Sequence, residues 1–353
     1  MSCKRTIMIN KRELEILDFI RMNQGISSTE ILRGISTSMS YATVKRLLSG
    51  LIEENLLTKR GQGKSTKYFI SPAWKLLSPV NIDHYFEKEI DERDIQERFN
   101  FDLFSGILRE HRIFTTVEIE KLETLQRQYT SNVTQLSETA YKKELERLAI
   151  DLSWKSSQIE GNTYSLLETE RLLKEKETAS GKTKEEAIML LNHKEAIDIL
   201  IENRDYLNPV SISGIEDIHS ILTKDLGVDK NIRKSRVGIS GTNYRPLENP
   251  FQIKEALSAM CELVNSKNNA FEKAILLLVL ISYIQPFVDG NKRTARIASN
   301  AVLMFHKHCP ISYRTVDSVD YKKAMLLFYE QNNITIFKQI FIDQFEFAVK
   351  TYF

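Results

Sequence analysis

The sequence predicts a mainly α-helical protein: an all-helical body preceded by a small module of three helices and two short strands. Three observations carry this. Apolar residues recur at helical spacing in residues 11–23 and 40–54. Between residues 56 and 70 the period shortens to that of a strand, on either side of Gly61-Gln62-Gly63-Lys64. From residue 137 to residue 353 nearly every segment reads as helix, with one interruption at 232–246.

Taken in order, residues 11–23 place Leu14, Ile16, Leu17, Phe19 and Ile20 in an apolar set, with Asp18 and Arg21 turned outward and Gly25 as the stop. Ser27, Ser28 and Thr29 precede Glu30-Ile31-Leu32 as caps of a second helix. Ser40 opens a third, in which Val44, Leu47, Leu48, Leu51 and Ile52 face inward. Strands at 56–60 and 66–70 then form a hairpin. Three helices and a hairpin within about 60 residues resemble a winged helix-turn-helix domain, with 40–54 as its third helix and 57–69 as its wing. That resemblance implies a duplex DNA partner. Lys45 and Arg46 would lie on the exposed face of the recognition helix, and Lys59, Arg60, Lys64 and Lys67 in the wing, where phosphates could be met. A winged helix used only for protein interaction or for homodimer formation stays open beside it.

Charge agrees with a polyanion-binding head, a solvated basic surface being the other reading. Residues 1–70 hold 12 of the 49 Lys and Arg but only 6 of the 47 Asp and Glu, leaving 37 against 41 for the rest. At 353 residues the chain exceeds one average domain. The division expected is a winged helix over 1–75, a helical connector over 76–136 containing the charged run EKEIDERDIQER, and the body over 137–353. No apolar run approaches the roughly 18 residues of a membrane span, and the first 13 residues lack a signal-peptide core, so a soluble, cytoplasmic protein with no membrane partner is expected. Cys3, Cys261 and Cys309 are odd in number and far apart, which fits ordinary thiols.

The chemistry concentrates in residues 285–296, QPFVDGNKRTAR. The apolar segment 274–284 ends at Pro286, Asp289-Gly290-Asn291 forms a turn, and a helical pattern resumes at Lys292. A glycine turn feeding a helix exposes backbone amides and the positive end of the helix dipole, which suits a polyphosphate. Arg293 and Arg296, three apart, would project from one side of the helix start. As bare spacing, the same turn also fits a simple helix start.

The full string resembles the Fic family signature H-P-F-x-D/E-G-N-G-R-x-x-R at Pro286, Phe287, Asp289, Gly290, Asn291, Arg293 and Arg296. It departs at Gln285, where the family has His, and at Lys292, where it commonly has Gly. Residues 231–246, NIRKSRVGISGTNYRP, look like the Fic flap, a β-hairpin that holds a target protein's segment by strand addition; Val237, Gly238, Ile239, Gly241 and Tyr244 fall in it. Ser156 to Asn162, SSQIEGN, resembles the family's inhibitory motif, with Ser156, Glu160 and Gly161 at its fixed positions. The resemblance covers roughly residues 137–310. It implies an all-helical Fic core that transfers AMP from ATP, with Mg²⁺, to a hydroxyl of a target protein.

By that resemblance Asp289 would hold the metal, backbone groups of Gly290 and Asn291 would line the anion hole, and Arg293 and Arg296 would bind the outer phosphates. Lys292 would add an ammonium to a phosphate or point to solvent. Glu160 would pair with Arg296 and occupy the place of the γ-phosphate. Gln285 takes the place of the catalytic base, yet an amide has no useful proton affinity. Loss of a general base typically removes about 10²- to 10⁴-fold of rate. No other histidine is an evident replacement: His219 reads as core, and His193 lies in a separate helical pattern. Asn291-Lys292-Arg293 also resembles the Doc branch, which transfers phosphate, although Doc proteins keep the His and lack the final Arg. Three functions therefore stand open: an impaired adenylyltransferase, a nucleotide-sensing DNA-binding regulator, and a phosphotransferase of Doc type.

Overall fold

A computed structural model describes residues 10–353. Cys3 and the first nine residues, from which the signal-peptide expectation starts, lie outside the described residues. Among those described there are sixteen α-helices, most of them packed on one large apolar core with a small second cluster at Tyr164, Leu172, Ala187 and Leu190, and one two-stranded sheet. No helix among them is long and apolar enough to cross a membrane.

The N-terminal helices begin where their caps dictate. Asn10 Oδ1 accepts from the amides of Arg12 and Glu13, and the Glu13 carboxylate returns to the Asn10 amide, starting α1 (Lys11–Met22). Ser27 and Glu30 form the same reciprocal box for α2 (Ser28–Gly34), and Ser40 caps α3 (Tyr41–Glu53). Val44, Leu48 and Leu51 of α3 are buried, with Leu47 and Ile52 half-buried. Leu14 departs from expectation and is 42% exposed. At about 100° per residue it falls well to the side of the stripe made by Ile16, Leu17 and Ile20. Strands β1 (Leu57–Arg60) and β2 (Lys67–Ile70) pair antiparallel, Leu57 opposite Ile70 and Arg60 opposite Lys67. This is the three-helix and wing arrangement that the sequence predicts.

The connecting region carries α4 (Trp74–Leu77), α5 (Ile82–Phe86), α6 (Leu108–Glu110) and α7 (Thr116–Gln135). The body follows with α8 (Glu138–Ile159), α9 (Leu166–Glu175), α10 (Lys184–Glu202), α11 (Ile212–Leu222) and α12 (Pro250–Ser266). It ends with α13 (Ala270–Ile284), α14 (Asn291–Phe305), α15 (Ser318–Gln331) and α16 (Thr335–Tyr352). Helix α13 is the central rod: every residue except Lys273 is buried, and α12, α14 and α15 pack around it. Burial on all faces is why its sequence shows no amphipathic period.

The apolar core runs from Ile16 in α1 to Tyr352 in α16, so the N-terminal module packs on the body. Polar contacts reinforce the junction. Leu76 O accepts the Ile334 amide at 2.9 Å, and Asn333 Nδ2 donates to Lys75 O and Ser78 O. Arg93 and Glu330, both buried, form an ion pair in which Arg93 Nη1 is shared between the two carboxylate oxygens at 3.0 and 3.2 Å.

Segment 231–246 interrupts the helices between α11 and α12 as expected, but it forms no strands and so no hairpin. The backbone groups that a hairpin would pair have other partners. Arg233 reaches Ser235 O and Leu247 O, Arg93 Nη2 donates to Gly241 O at 2.8 Å, and the Arg245 amide donates to Glu97 O at 2.7 Å. The single bridge made here, Arg98 to Arg245, is parallel and joins the loop to the connector.

Candidate functional site

The motif is built by stopping one helix and starting another within six residues. Gln285 ends α13 in a left-handed conformation (φ 50°), and Gly290 precedes α14 in another (φ 81°). A Cβ on Gly290 would sit 3.2 Å from both His219 Cδ2 and Thr223 Cγ2, so both backbone and space demand glycine. Between these residues the Asn291 side chain clasps the turn. Its Oδ1 accepts the Phe287 amide at 2.9 Å, and its Nδ2 donates to Phe287 O and to Gln285 Oε1.

Gln285 is buried, and both ends of its amide are engaged. Nε2 donates to Ser282 O at 2.7 Å and lies 3.4 Å from the Tyr329 hydroxyl, while Oε1 accepts from Asn291. It braces the loop and, as an amide, has no proton affinity to offer a substrate. Arg233, also buried, fixes the same turn from the other side, its Nε donating to Gln285 O at 2.6 Å and its amide to Pro286 O.

The start of α14 gathers cations. Arg293 and Arg296 have side chains 1% and 0% exposed, and Lys292 stands beside them at 26%. Arg293 Nη2 donates to Asp289 Oδ2 at 2.9 Å, while its Nε and Nη1 and Arg296 Nη1 are buried without a partner among the described residues. Burial disfavours the Arg293 charge and draws its pKa down, against Asp289 and Glu160, which favour that charge. Buried guanidinium donors at a helix N-terminus have the chemistry that suits an anion. Asp289 is an exposed carboxylate next to it. No group of three or more His, Cys, Asp or Glu suited to a metal occurs among the described residues. A cation here would draw the rest of its shell from water and from a ligand's phosphates, which Mg²⁺ accepts.

The segment 156–161 supplies the counter-charge. Helix α8 ends in a Schellman motif: Asn162 N–H bonds Ser157 O, Gly161 N–H bonds Gln158 O, and Gly161 adopts φ 103°. The last turn is tightened because the Glu160 amide turns to Ser157 O at 3.0 Å. Ser156 O is thereby released and accepts Arg296 Nη2 at 3.0 Å, while Ser156 Oγ accepts Arg296 Nε at 2.8 Å. Glu160, at the helix end, gives Oε1 to Arg296 at 2.8 Å and Oε2 to Lys292 at 3.3 Å. Burial would raise its pKa, but Arg296 and Lys292 outweigh that and hold the carboxyl below its ordinary range. Burial opposes the charge of Arg296, and the neighbouring Tyr321 and Glu160 more than offset it, so the guanidinium stays charged. Lys292 reaches Glu160 across the site, a pairing its place in the sequence does not announce.

Two histidines enter the site without any local sequence signal. His193 on α10 is fully buried with Nε2 2.6 Å from Ser156 Oγ. Burial and the nearby Arg296 and Arg293 push its pKa well below the usual range, so the ring is neutral and Nε2 can accept a hydrogen bond from the Ser156 hydroxyl, which itself accepts from Arg296. His219 packs as core, as expected, but against the motif itself: its ring stacks on Phe287 at 3.6 Å and its Nε2 lies 2.9 Å from Asp289 O. Neither bonds Gln285. Pairings across 37 and 70 residues are set by helix packing, which spacing cannot reveal.

Of the flap residues, Tyr244 is buried, donates its hydroxyl to Tyr283 O at 3.0 Å and stacks on Tyr283 and Tyr329. Val237 and Ile239 are half-buried, and Gly238 and Gly241 are exposed. Of the basic residues in the N-terminal module, Arg46, Lys59, Arg60 and Lys64 are exposed. Arg60 lies over the Phe69 ring, Lys67 pairs with Glu30 at 3.1 Å, and Lys45 Nζ reaches the Tyr68 hydroxyl at 3.3 Å.

Two family models match the chain: the Fic/DOC family over residues 209–303, which includes the motif, and the penicillinase repressor family over residues 9–75. A protein adenylyltransferase Fic of Nematostella vectensis is 30% identical over 178 residues, 47% of this chain and 40% of the relative. A probable protein adenylyltransferase of Aquifex aeolicus is 31% identical over 99 residues, 28% of this chain and 31% of the relative. The chain thus spans less than half the length of these curated relatives. Among solved structures, Fic-1 (aa134 - 508) from C. elegans superposes with a TM-score of 0.59 at 19% identity, covering 67% of this chain and 72% of that one. A Fic domain containing signaling protein from Bacteroides thetaiotaomicron gives 0.56 at 18% identity, covering 66% and 95%. At such identities the likeness speaks to the fold. This chain is a Fic-domain protein related to the protein adenylyltransferases, with an N-terminal domain of winged-helix repressor type.

Proposed function

We propose that the chain binds ATP with Mg²⁺ at the start of α14, is held shut by Glu160, and transfers AMP to a protein hydroxyl weakly or not at all because Gln285 replaces the base. One observation carries the reading: the Glu160 carboxylate occupies an anion cradle in which buried Arg293 and Arg296 still hold unpartnered N–H groups. A carboxylate satisfies one edge of such a cradle; a polyphosphate carries enough oxygens for all of it. In this reading Arg293 and Arg296 grip the outer phosphates, and amides at Gly290 and Asn291 complete the anion hole. Fixed donors of this kind stabilise charge that shifts between phosphoryl oxygens. Asp289 would hold Mg²⁺, which when bound neutralises phosphate charge. A target segment would lie along Val237, Gly238 and Ile239.

The test is titration of wild type and Glu160→Gly with ATP and Mg²⁺ by calorimetry. Tighter binding by Glu160→Gly is expected, since the carboxylate competes for Arg296. Failure of both proteins to bind ATP overturns the reading.

A second reading, a nucleotide-sensing regulator that binds duplex DNA, is favoured by one short segment. Residues 329–333 connect the motif to the N-terminal module: the Tyr329 hydroxyl is near Gln285, Glu330 holds Arg93 of the connector, and Asn333 holds Lys75 O and Ser78 O. DNA affinity of the full chain with and without ATP and Mg²⁺ decides it. A change that Asn333→Ala abolishes supports coupling, and equal affinity in both conditions removes it.

A further inference from the structure

We propose that Lys292 is a two-state ligand, pairing with Glu160 in the closed site and with nucleotide phosphate in the open one, so that the same side chain seals the site and then helps to fill it. This rests on the nucleotide reading above. The two oxygens of Glu160 are divided between two cations, Oε1 to Arg296 at 2.8 Å and Oε2 to Lys292 at 3.3 Å.

The two cations differ in freedom. Arg296 is fixed: fully buried, it also donates to the hydroxyl and carbonyl of Ser156 and lies against the Tyr321 ring. Arg293, 1% exposed, is tied to Asp289. Among the described residues Lys292 Nζ bonds Glu160 and no other group, and its side chain is a quarter exposed. A four-carbon stem ending in a compact ammonium can swing where a planar guanidinium locked by several bonds cannot. It also stands on the first turn of α14, where the helix dipole favours an anion.

When a polyphosphate displaces Glu160, Lys292 loses its partner within reach of the new oxygens. The ammonium then passes from carboxylate to phosphate with no loss of pairing. The consequence is an exchange: removing Lys292 removes a contact from each state, and the two losses partly cancel. Only when Glu160 is already gone does the phosphate contact stand alone.

The experiment is a double-mutant cycle on ATP and Mg²⁺ binding by calorimetry, with wild type, Lys292→Ala, Glu160→Gly and the double variant, each checked for cooperative thermal unfolding. Lys292→Ala is expected to weaken ATP binding about tenfold in the Glu160→Gly background, as for a lost charge-assisted contact, and by about threefold or less with Glu160 present. Lys292→Arg, which keeps the cation, should restore most of the loss. Equal losses in both backgrounds, or no loss in the Glu160→Gly background, overturn the proposal. If Glu160→Gly binds ATP well but either of those results is found, Lys292 alone was misread. If neither Glu160→Gly nor wild type binds ATP, the nucleotide reading fails and this one with it.

Discussion

Gln285 Oε1 accepts a hydrogen bond from Asn291 Nδ2 at 2.9 Å, so the residue in the position of the family's base is tied to the asparagine that shapes the anion loop. With Nε2 on Ser282 O, the amide is used up as a brace. Gln285→Ala should therefore cost stability, about 1–3 kcal/mol, because Asn291 and Ser282 O each lose a buried partner. Chemical denaturation measures it, and an unchanged midpoint would deny the bracing role.

Restoring a base gives the complementary expectation. Labelled ATP incubated with candidate target proteins should leave about 10²- to 10⁴-fold less label with wild type or Glu160→Gly than with Glu160→Gly combined with Gln285→His. Label transferred by Glu160→Gly alone at the rate of the His-restored variant would mean that the chemistry needs no imidazole at position 285.

Glu160 sets a pH dependence of known sign. Its folded pKa lies below the ordinary value of 4.5, so its contribution to stability is present in full above that value and is lost as pH falls through the folded pKa. The stability difference between wild type and Glu160→Gln should be constant from about pH 6 to 8 and shrink in acid below about 4.5. Thermal unfolding across pH measures it; a difference that changes between pH 6 and 8 would place another titrating group in the contact.

Two glycines with positive φ separate strain from crowding. At Gly161 (φ 103°) a side-chain methyl would meet nothing within 4 Å, so Gly161→Ala should cost about 1 kcal/mol of backbone strain alone. Gly290 (φ 81°) adds contact with His219 and Thr223 at 3.2 Å, so Gly290→Ala should cost about 2–3 kcal/mol and weaken ATP binding as the loop shifts. Chemical denaturation of the two variants compares them, and equal costs would contradict the crowding.

In the N-terminal domain, Lys59→Ala, Arg60→Ala and Lys64→Ala should each lower the salt dependence of duplex binding by about one unit of slope. Lys67→Ala should lower it less, since Lys67 is shared with Glu30. Filter binding at several salt concentrations tests this, and no salt-dependent binding by the full chain would remove DNA as a partner.

Some of this protein was fixed locally and could be read from the chain. Asn10, Ser27 and Ser40 start helices because a side-chain oxygen three residues away satisfies amides that a helix leaves open. The order of proline, turn and glycine in 285–296 marks the stop of one helix and the start of the next, and Gly161 ends α8 through bonds made within six residues. Long-range packing decided the rest. It brought His193 to Ser156 and His219 to Asp289, seated Lys292 on Glu160, and tied the segment at 231–246, where a hairpin was expected, to the connector by giving its backbone groups to Arg93 and Glu97. Those partners lie far apart in the chain, and only the way the helices stack brings their charges within hydrogen-bond reach.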